Sequence, residues 1–191
     1  MQRIGLFGGS FDPVHCGHLL VALAANEELG LERLFFIPAA QSPFKPQSAP
    51  APAAERLRLL RLALAGLTRC EIDAQEIERG GASFTIDTVR DYTRRFPQAR
   101  LCYLIGADHV PTLPAWREAA ELAERVEFVV IPRPGQLPTP FPAPFRGREL
   151  AGFPLGVSSS QIRARVKAGL SLHGLVPAAV AEAILNSKLY L

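Results

Sequence analysis

The residues best suited to chemistry lie in one stretch, Gly8-Gly9-Ser10-Phe11-Asp12-Pro13-Val14-His15-Cys16-Gly17-His18. Two glycines let the backbone turn sharply and approach a ligand without side-chain interference. A helix starting near Gly17 presents unpaired N–H groups and a partial positive charge, which suits phosphate. His15 and His18 stand one helical turn apart, so both can face that phosphate. Each can donate hydrogen bonds to a triphosphate, or to the charge that develops during phosphoryl or nucleotidyl transfer. Neither needs to act as a base if the attacking group is already an anion. No GK[ST] follows, so this is not a Walker A loop, and the glycines do not spell the dinucleotide fingerprint GxGxxG. Two histidines without a third nearby ligand do not make a zinc site. Cys16 is expected to fill a small space.

The elements around this turn must hold it at an edge. Ile4–Phe7 is a continuous apolar run, as in a parallel strand buried on both faces. A helix follows, with Leu19, Leu20, Leu23 and Ala24 on its apolar side and Gly30 as its stop. Leu34–Ile37 reads as a second buried strand and Glu55–Leu64 as a helix with Leu57, Leu60 and Leu64 inward. Cys70–Ile72 is a short strand. Ser83 is expected to cap a helix reaching Arg95. Leu101–Ile105 is a strand, then comes a helix containing Trp116–Glu124, then a strand over Glu127–Ile131. Ser158 or Ser159 caps a helix to Lys167 that Gly169 stops, and Pro177 opens a last helix, Ala178–Leu185. Residues 38–53 and 132–154 are proline-rich and irregular, and long loops of this kind commonly serve as lids or binding loops.

This βαβα alternation predicts an α/β fold, a Rossmann-like open parallel sheet with helices on both faces, as a single domain over 1–191 with C-terminal helices. Ligands of such sheets bind at the carboxyl ends of the strands, at a switch point. Three turns after apolar strands should therefore meet: residues 8–18, residues 106–108 and the loop beginning at Arg133.

Composition sets the limits. The chain has 191 residues, 48% hydrophobic and 20% charged, enough to build a core. A net charge of +3 permits anionic small substrates but lacks the basic blocks of a nucleic-acid binder. Three cysteines, without a CxxC pair, point to a reducing compartment. No signal segment or membrane-length apolar run is evident, so a cytoplasmic protein without nucleic-acid or membrane partners is expected.

Further segments add to the first turn: Ser42-Pro43-Phe44-Lys45, Glu78-Arg79-Gly80-Gly81-Ala82-Ser83-Phe84-Thr85-Ile86-Asp87-Thr88, Leu104-Ile105-Gly106-Ala107-Asp108, Leu113 with Trp116, Ile131-Pro132-Arg133-Pro134-Gly135 and Ser158-Ser159-Ser160-Gln161-Ile162-Arg163. Together they resemble the bacterial nicotinate-nucleotide adenylyltransferase family of the HxGH nucleotidyltransferase superfamily. The likeness runs through Leu175-Val176-Pro177 to Leu189-Tyr190.

The resemblance implies adenylyl transfer from ATP to nicotinate mononucleotide, giving nicotinate adenine dinucleotide and pyrophosphate in NAD biosynthesis. Mg2+ would accompany ATP, held mainly by the phosphates and not by protein ligands. The family's catalytic positions fall on His15, His18, Lys45 and Arg163. Its ATP contacts fall on Gly8, Gly9, Ser10, Phe11, His15, His18, Gly106, Asp108, Arg133, Ser159, Ser160 and Arg163. Its nicotinate mononucleotide contacts fall on Ser10, Lys45, Thr85, Trp116 and Arg117. Phe44 stands where the family usually has histidine. On the residues alone, Asp108 reads first as a helix cap, whereas Trp116 reads equally as a core residue, and Lys45, Arg133 and Arg163 as solvated side chains. Homo-oligomerisation is compatible with these features.

Rival readings are a different acceptor (nicotinamide mononucleotide or phosphopantetheine), a cytidylyltransferase, a non-catalytic nucleotide sensor and a nicotinamide-dependent oxidoreductase. Threonine usually replaces His15 in pantetheine-phosphate adenylyltransferases. A cytidylyltransferase leaves SFTIDT, GAD and the tryptophan unexplained together, a sensor need not keep every transfer residue, and an oxidoreductase lacks its GxGxxG.

Overall fold

The strands expected from their apolar runs all form, and they pair side by side. The computed structural model describes residues 2–43, 50–135 and 139–191. Among them, six strands make one parallel sheet: β1 (Arg3–Gly9), β2 (Arg33–Pro38), β3 (Cys70–Ile72), β4 (Arg100–Gly106), β5 (Val126–Ile131) and β6 (Gly147–Glu149). Their order is β3-β2-β1-β4-β5-β6, so the direction of winding reverses between β1 and β4. The register pairs Leu6 with both Phe35 and Tyr103, which lines up the carboxyl ends of the three central strands.

Alternate side chains of each strand point to opposite faces, and both faces are covered. On one side Phe7, Leu34, Phe36, Cys102, Leu104 and Val129 pack with α1 (Cys16–Glu28), α2 (Ala53–Leu64), α6 (Ser159–Lys167) and α7 (Ala178–Asn186). On the other, Ile4, Leu6, Phe35, Ile37, Tyr103 and Phe128 pack with α4 (Thr85–Arg95) and α5 (Ala119–Arg125). The short α3 (Gln75–Arg79) precedes α4, and a 3-10 stretch, Ala107–Ala115, follows β4. The fold is the expected Rossmann-like open parallel sheet. Among the described residues no helix is long and apolar enough to cross a membrane.

Several local expectations need correction. Leu23, expected on the inner face of α1, is 46% exposed, because the helix lies against the core through the small residues Ala22, Ala24 and Ala25. Ser83 does not cap α4: Phe84 is the N-cap residue, and the Ser83 hydroxyl accepts from the Ala40 N–H instead. The helix expected from Trp116 starts only at Ala119, since Pro111 and Pro114 leave a 3-10 path and Glu118 takes a left-handed φ of 53°. β6 lies inside the second proline-rich stretch, whose composition predicts irregular structure throughout.

Candidate active site

The three turns predicted to meet lie on adjacent strands at the switch point, as the order β1-β4-β5 requires. At the β4 and β5 ends, Arg133 Nη2 stands 3.3 Å from Asp108 Oδ1. Gly106 lies beneath that pair. A Cβ there would come within 2.5 Å of Asp108 Oδ1 and 3.3 Å of Arg133 Nη2.

The turn after β1 is braced from outside. The Ala39 N–H donates to the Gly9 carbonyl at 2.9 Å, and Arg56 Nη1 donates to the Ser10 carbonyl at 2.8 Å. Arg163 Nη1 donates to the Asp12 carbonyl at 2.7 Å, and the Ser159 hydroxyl to the Pro13 carbonyl at 2.9 Å. The Asp12 carboxylate accepts from the Tyr190 hydroxyl at 2.8 Å and from the Ala51 N–H at 3.2 Å. The carbonyls of Gly9, Ser10, Asp12 and Pro13 are thus turned towards the first loop, α2 and α6. The N–H groups of Ser10, Phe11 and Asp12 have no hydrogen-bond partner among the described residues. Such a row of amides fits an anion. Phe11 contributes only backbone to it, because its ring is buried and φ at this residue is 46°.

His15 and His18 stack with ring centroids 3.7 Å apart. Gly17 makes room for this: a Cβ there would come within 3.0 Å of His15 Nδ1. The His15 backbone N–H donates to His18 Nδ1 at 3.1 Å. That nitrogen must then be unprotonated, so the single proton of neutral His18 sits on Nε2 and is free to be donated. Phe7 and Phe11 close around the His18 ring, at centroid distances of 5.8 and 5.0 Å. Burial, reinforced by the neighbouring His15, holds His18 well below the ordinary imidazole range. Burial also pushes His15 down to about 4. Both rings are neutral at pH 7.

A second cavity of about 150 Å³ opens beside this turn, lined by Pro43, Phe84, Thr85, Ala115, Trp116, Arg117 and Leu122. Three of the residues expected at the nicotinate end, Thr85, Trp116 and Arg117, therefore lie together. Trp116 is held by Nε1 donating to Thr112 Oγ1 at 3.2 Å and by edge contact with Phe128. The Arg117 guanidinium lies 4.8 Å from the Phe84 ring centroid and 3.9 Å from Asp87 Oδ2. With Ser83 diverted, the amides of Thr85 and Ile86 at the start of α4 have no partner among the described residues. The two halves meet at Tyr103. Thr85 Oγ1 donates to its hydroxyl at 3.4 Å, and that hydroxyl occupies the space a Cβ on Gly8 would need, 2.5 Å away.

Ser160 accepts from Arg163 Nη2 at 3.3 Å and so sits beside the turn. Lys45 and Phe44 lie outside the described residues. Sequence reasoning missed Asp12, Arg56, Tyr103 and Tyr190. For Arg56 a signal was present: it shares the i, i+3, i+4, i+7 stripe of α2 with Leu59, Leu60 and Ala63. Among the described residues no cluster of three or more His, Cys, Asp or Glu side chains could hold a metal ion.

Comparison with known proteins agrees with this arrangement. The cytidylyltransferase-like family model matches residues 6–165. A Gemmatimonas aurantiaca protein named probable nicotinate-nucleotide adenylyltransferase is 45% identical over 99% of this chain and 92% of its own. A Thermus thermophilus protein of the same name is 42% identical over 99% of this chain and 100% of its own. The solved Plasmodium falciparum nicotinic acid mononucleotide adenylyltransferase, complexed with NaAD, superposes with a TM-score of 0.80, covering 100% of this chain and 98% of that one at 16% identity, which speaks for the fold. A cytidylyltransferase-like fold with relatives this similar along its whole length makes the chain a member of the nicotinate-nucleotide adenylyltransferase family.

Proposed function

We propose that this enzyme transfers the adenylyl group of ATP to nicotinate mononucleotide, releasing pyrophosphate and forming nicotinate adenine dinucleotide. The observation that carries this reading is the link through Tyr103, whose hydroxyl lies against Gly8 of the amide-lined turn and accepts from Thr85 of the aromatic cavity, so that the two sites are neighbours.

The triphosphate sits on the turn of Gly8–Phe11, with His15, His18, Ser159, Ser160 and Arg163 around it. Asp108 and Gly106, with Arg133, face the adenosine. The pyridine ring enters the second cavity against Trp116, and its carboxylate meets the Thr85 and Ile86 amides with Arg117 nearby. The acceptor phosphate, guided by Ser10 and Lys45, attacks the α-phosphorus and pyrophosphate leaves. The acceptor is already an anion, so no base and no covalent intermediate are required. Catalysis is then positioning plus stabilisation of charge. His18 Nε2–H is a fixed donor for that charge, pre-aimed by the bond at Nδ1.

Enzymes of this kind use a divalent metal with ATP, and we assign Mg2+. The donors around the turn are N–H groups, imidazoles and a guanidinium, which complement phosphate oxygens. Mg2+ fits as a companion of the triphosphate, neutralising part of its charge, without a protein carboxylate. The full span 1–191 acts as one unit, since Arg163 and Tyr190 complete a turn that begins at Gly8. All three cysteines are free, in keeping with a reducing, cytoplasmic setting. The test is incubation with ATP, Mg2+ and nicotinate mononucleotide, followed by chromatography. Dinucleotide and pyrophosphate in equal amounts are expected, and unchanged substrates contradict the reading.

A further inference from the structure

Arg56 is 1% exposed, which makes it the largest fully buried side chain among the described residues. It takes part in no step above. Its hydrogen bonds go to backbone carbonyls: Nε to Ala51 at 3.0 Å and Nη1 to Ser10 at 2.8 Å. A buried guanidinium is costly to desolvate, and apolar residues in such places are often as stable or more so. The stripe it occupies is otherwise apolar, with Leu59, Leu60 and Ala63. Core stability alone would be served by another leucine there.

The position of its two acceptors gives a different purpose. Ala51 ends the first proline-rich loop, and Ser10 is the middle of the phosphate turn. The Ser10–Phe11 peptide is trans, so its C=O and N–H point in opposite directions. Holding the carbonyl towards α2 turns the Phe11 N–H away from α2. That N–H has no partner among the described residues. Without Arg56, the peptide can rotate about ψ of Ser10 and φ of Phe11, which leaves the strained left-handed 46°, and present its carbonyl, which repels phosphate.

We propose that Arg56 is a positioning residue: it fixes the Ser10–Phe11 peptide with the amide towards the triphosphate and ties that peptide to the end of the first loop. This rests on the assignment of the turn to ATP. The experiment is calorimetric titration of ATP with Mg2+ into wild type, Arg56→Met and Arg56→Lys, with thermal melts and steady-state kinetics on the same samples. Arg56→Met should fold and bind ATP about tenfold or more weakly, with kcat reduced as well, because misplacement of about 1 Å can cost 10²-fold. Arg56→Lys, which keeps the charge but not both bonds, should fall between.

A folded Arg56→Met with wild-type ATP affinity and kcat overturns the proposal, whatever its melting temperature, since a purely structural arginine changes the melt alone. If Arg56→Met does not fold, Arg56→Lys decides: wild-type affinity overturns the proposal and weakened affinity supports it. Wild-type enzyme that binds ATP but does not adenylate nicotinate mononucleotide contradicts the proposed reaction and leaves the Arg56 comparison standing. Wild type that binds no triphosphate overturns both.

Discussion

The backbone N–H of His15 donates to Nδ1 of His18 at 3.1 Å, and this bond decides which face of His18 can give a proton. Only Nε2 is left to donate. An asparagine at 18 reproduces the Nδ1 acceptor but not the Nε2 donor, whereas glutamine places an N–H near Nε2. His18→Ala should lower kcat by about 10²–10³, in line with the loss of an oxyanion donor. His18→Asn should resemble Ala, and His18→Gln should retain more activity than either. Steady-state rates of the three variants check this, and Asn above Gln would contradict it.

Burial of the histidine pair makes stability depend on acid. His15 falls from 6.5 to about 4 in the folded protein. Between those values the unfolded chain binds a proton that the folded one refuses, so folding weakens as pH drops from 6.5 towards 4. His15 alone accounts for a loss of about 3 kcal/mol by pH 4. His18, also lowered, adds in the same direction. Urea midpoints from pH 7 to 4 should fall less steeply for His15→Asn than for wild type. Parallel curves would show that the ring is not buried neutral.

Arg163 reaches from α6 to the Asp12 carbonyl at 2.7 Å and stands beside the phosphate turn. Charge-assisted hydrogen bonds are worth about 1.5–3 kcal/mol, or roughly ten- to a hundredfold in binding. Arg163→Gln should raise the KM for ATP within that range. An unchanged KM would remove Arg163 from the ATP site.

Trp116 lines the second cavity and also packs against Phe128. Trp116→Leu keeps an apolar contact with Phe128 but loses the flat face for a pyridine ring. The KM for nicotinate mononucleotide should rise about tenfold, and that for ATP should hold. Arg117→Gln, which removes the cation beside the Thr85 amide, should narrow the preference for the acid over the amide. Equal effects of Trp116→Leu on both substrates would place the indole elsewhere.

The sheet and its glycine stops were legible because they follow from local rules. Continuous apolar runs gave the central strands, and Gly30 and Gly169 end their helices at φ 59° and 64°. The turn after β1 was legible as a candidate site because its residue types have few other uses together. What escaped depended on distant partners. Ser83 looks like a cap in sequence, yet the Ala40 N–H claims its hydroxyl, which leaves the α4 amides open. Arg56 and Tyr190 meet the turn from 46 and 178 residues away. Leucine spacing in α2 predicts a stripe through Leu57, Leu60 and Leu64, whereas burial runs through Arg56, Leu59, Leu60, Ala63 and Leu64. The second irregular stretch hid β6, a three-residue edge strand whose residues are all exposed and so carry no apolar pattern.

The most direct measurement of the central claim is pyrophosphate release with ATP and Mg2+, run in parallel with nicotinate mononucleotide, nicotinamide mononucleotide and phosphopantetheine. The amides at the start of α4, without a partner among the described residues, and Arg117 lining the same cavity as Thr85 favour a carboxylate. The highest kcat/KM is therefore predicted for nicotinate mononucleotide, with nicotinamide mononucleotide lower and phosphopantetheine inactive. Release with phosphopantetheine alone, or with none of the three, would contradict the account.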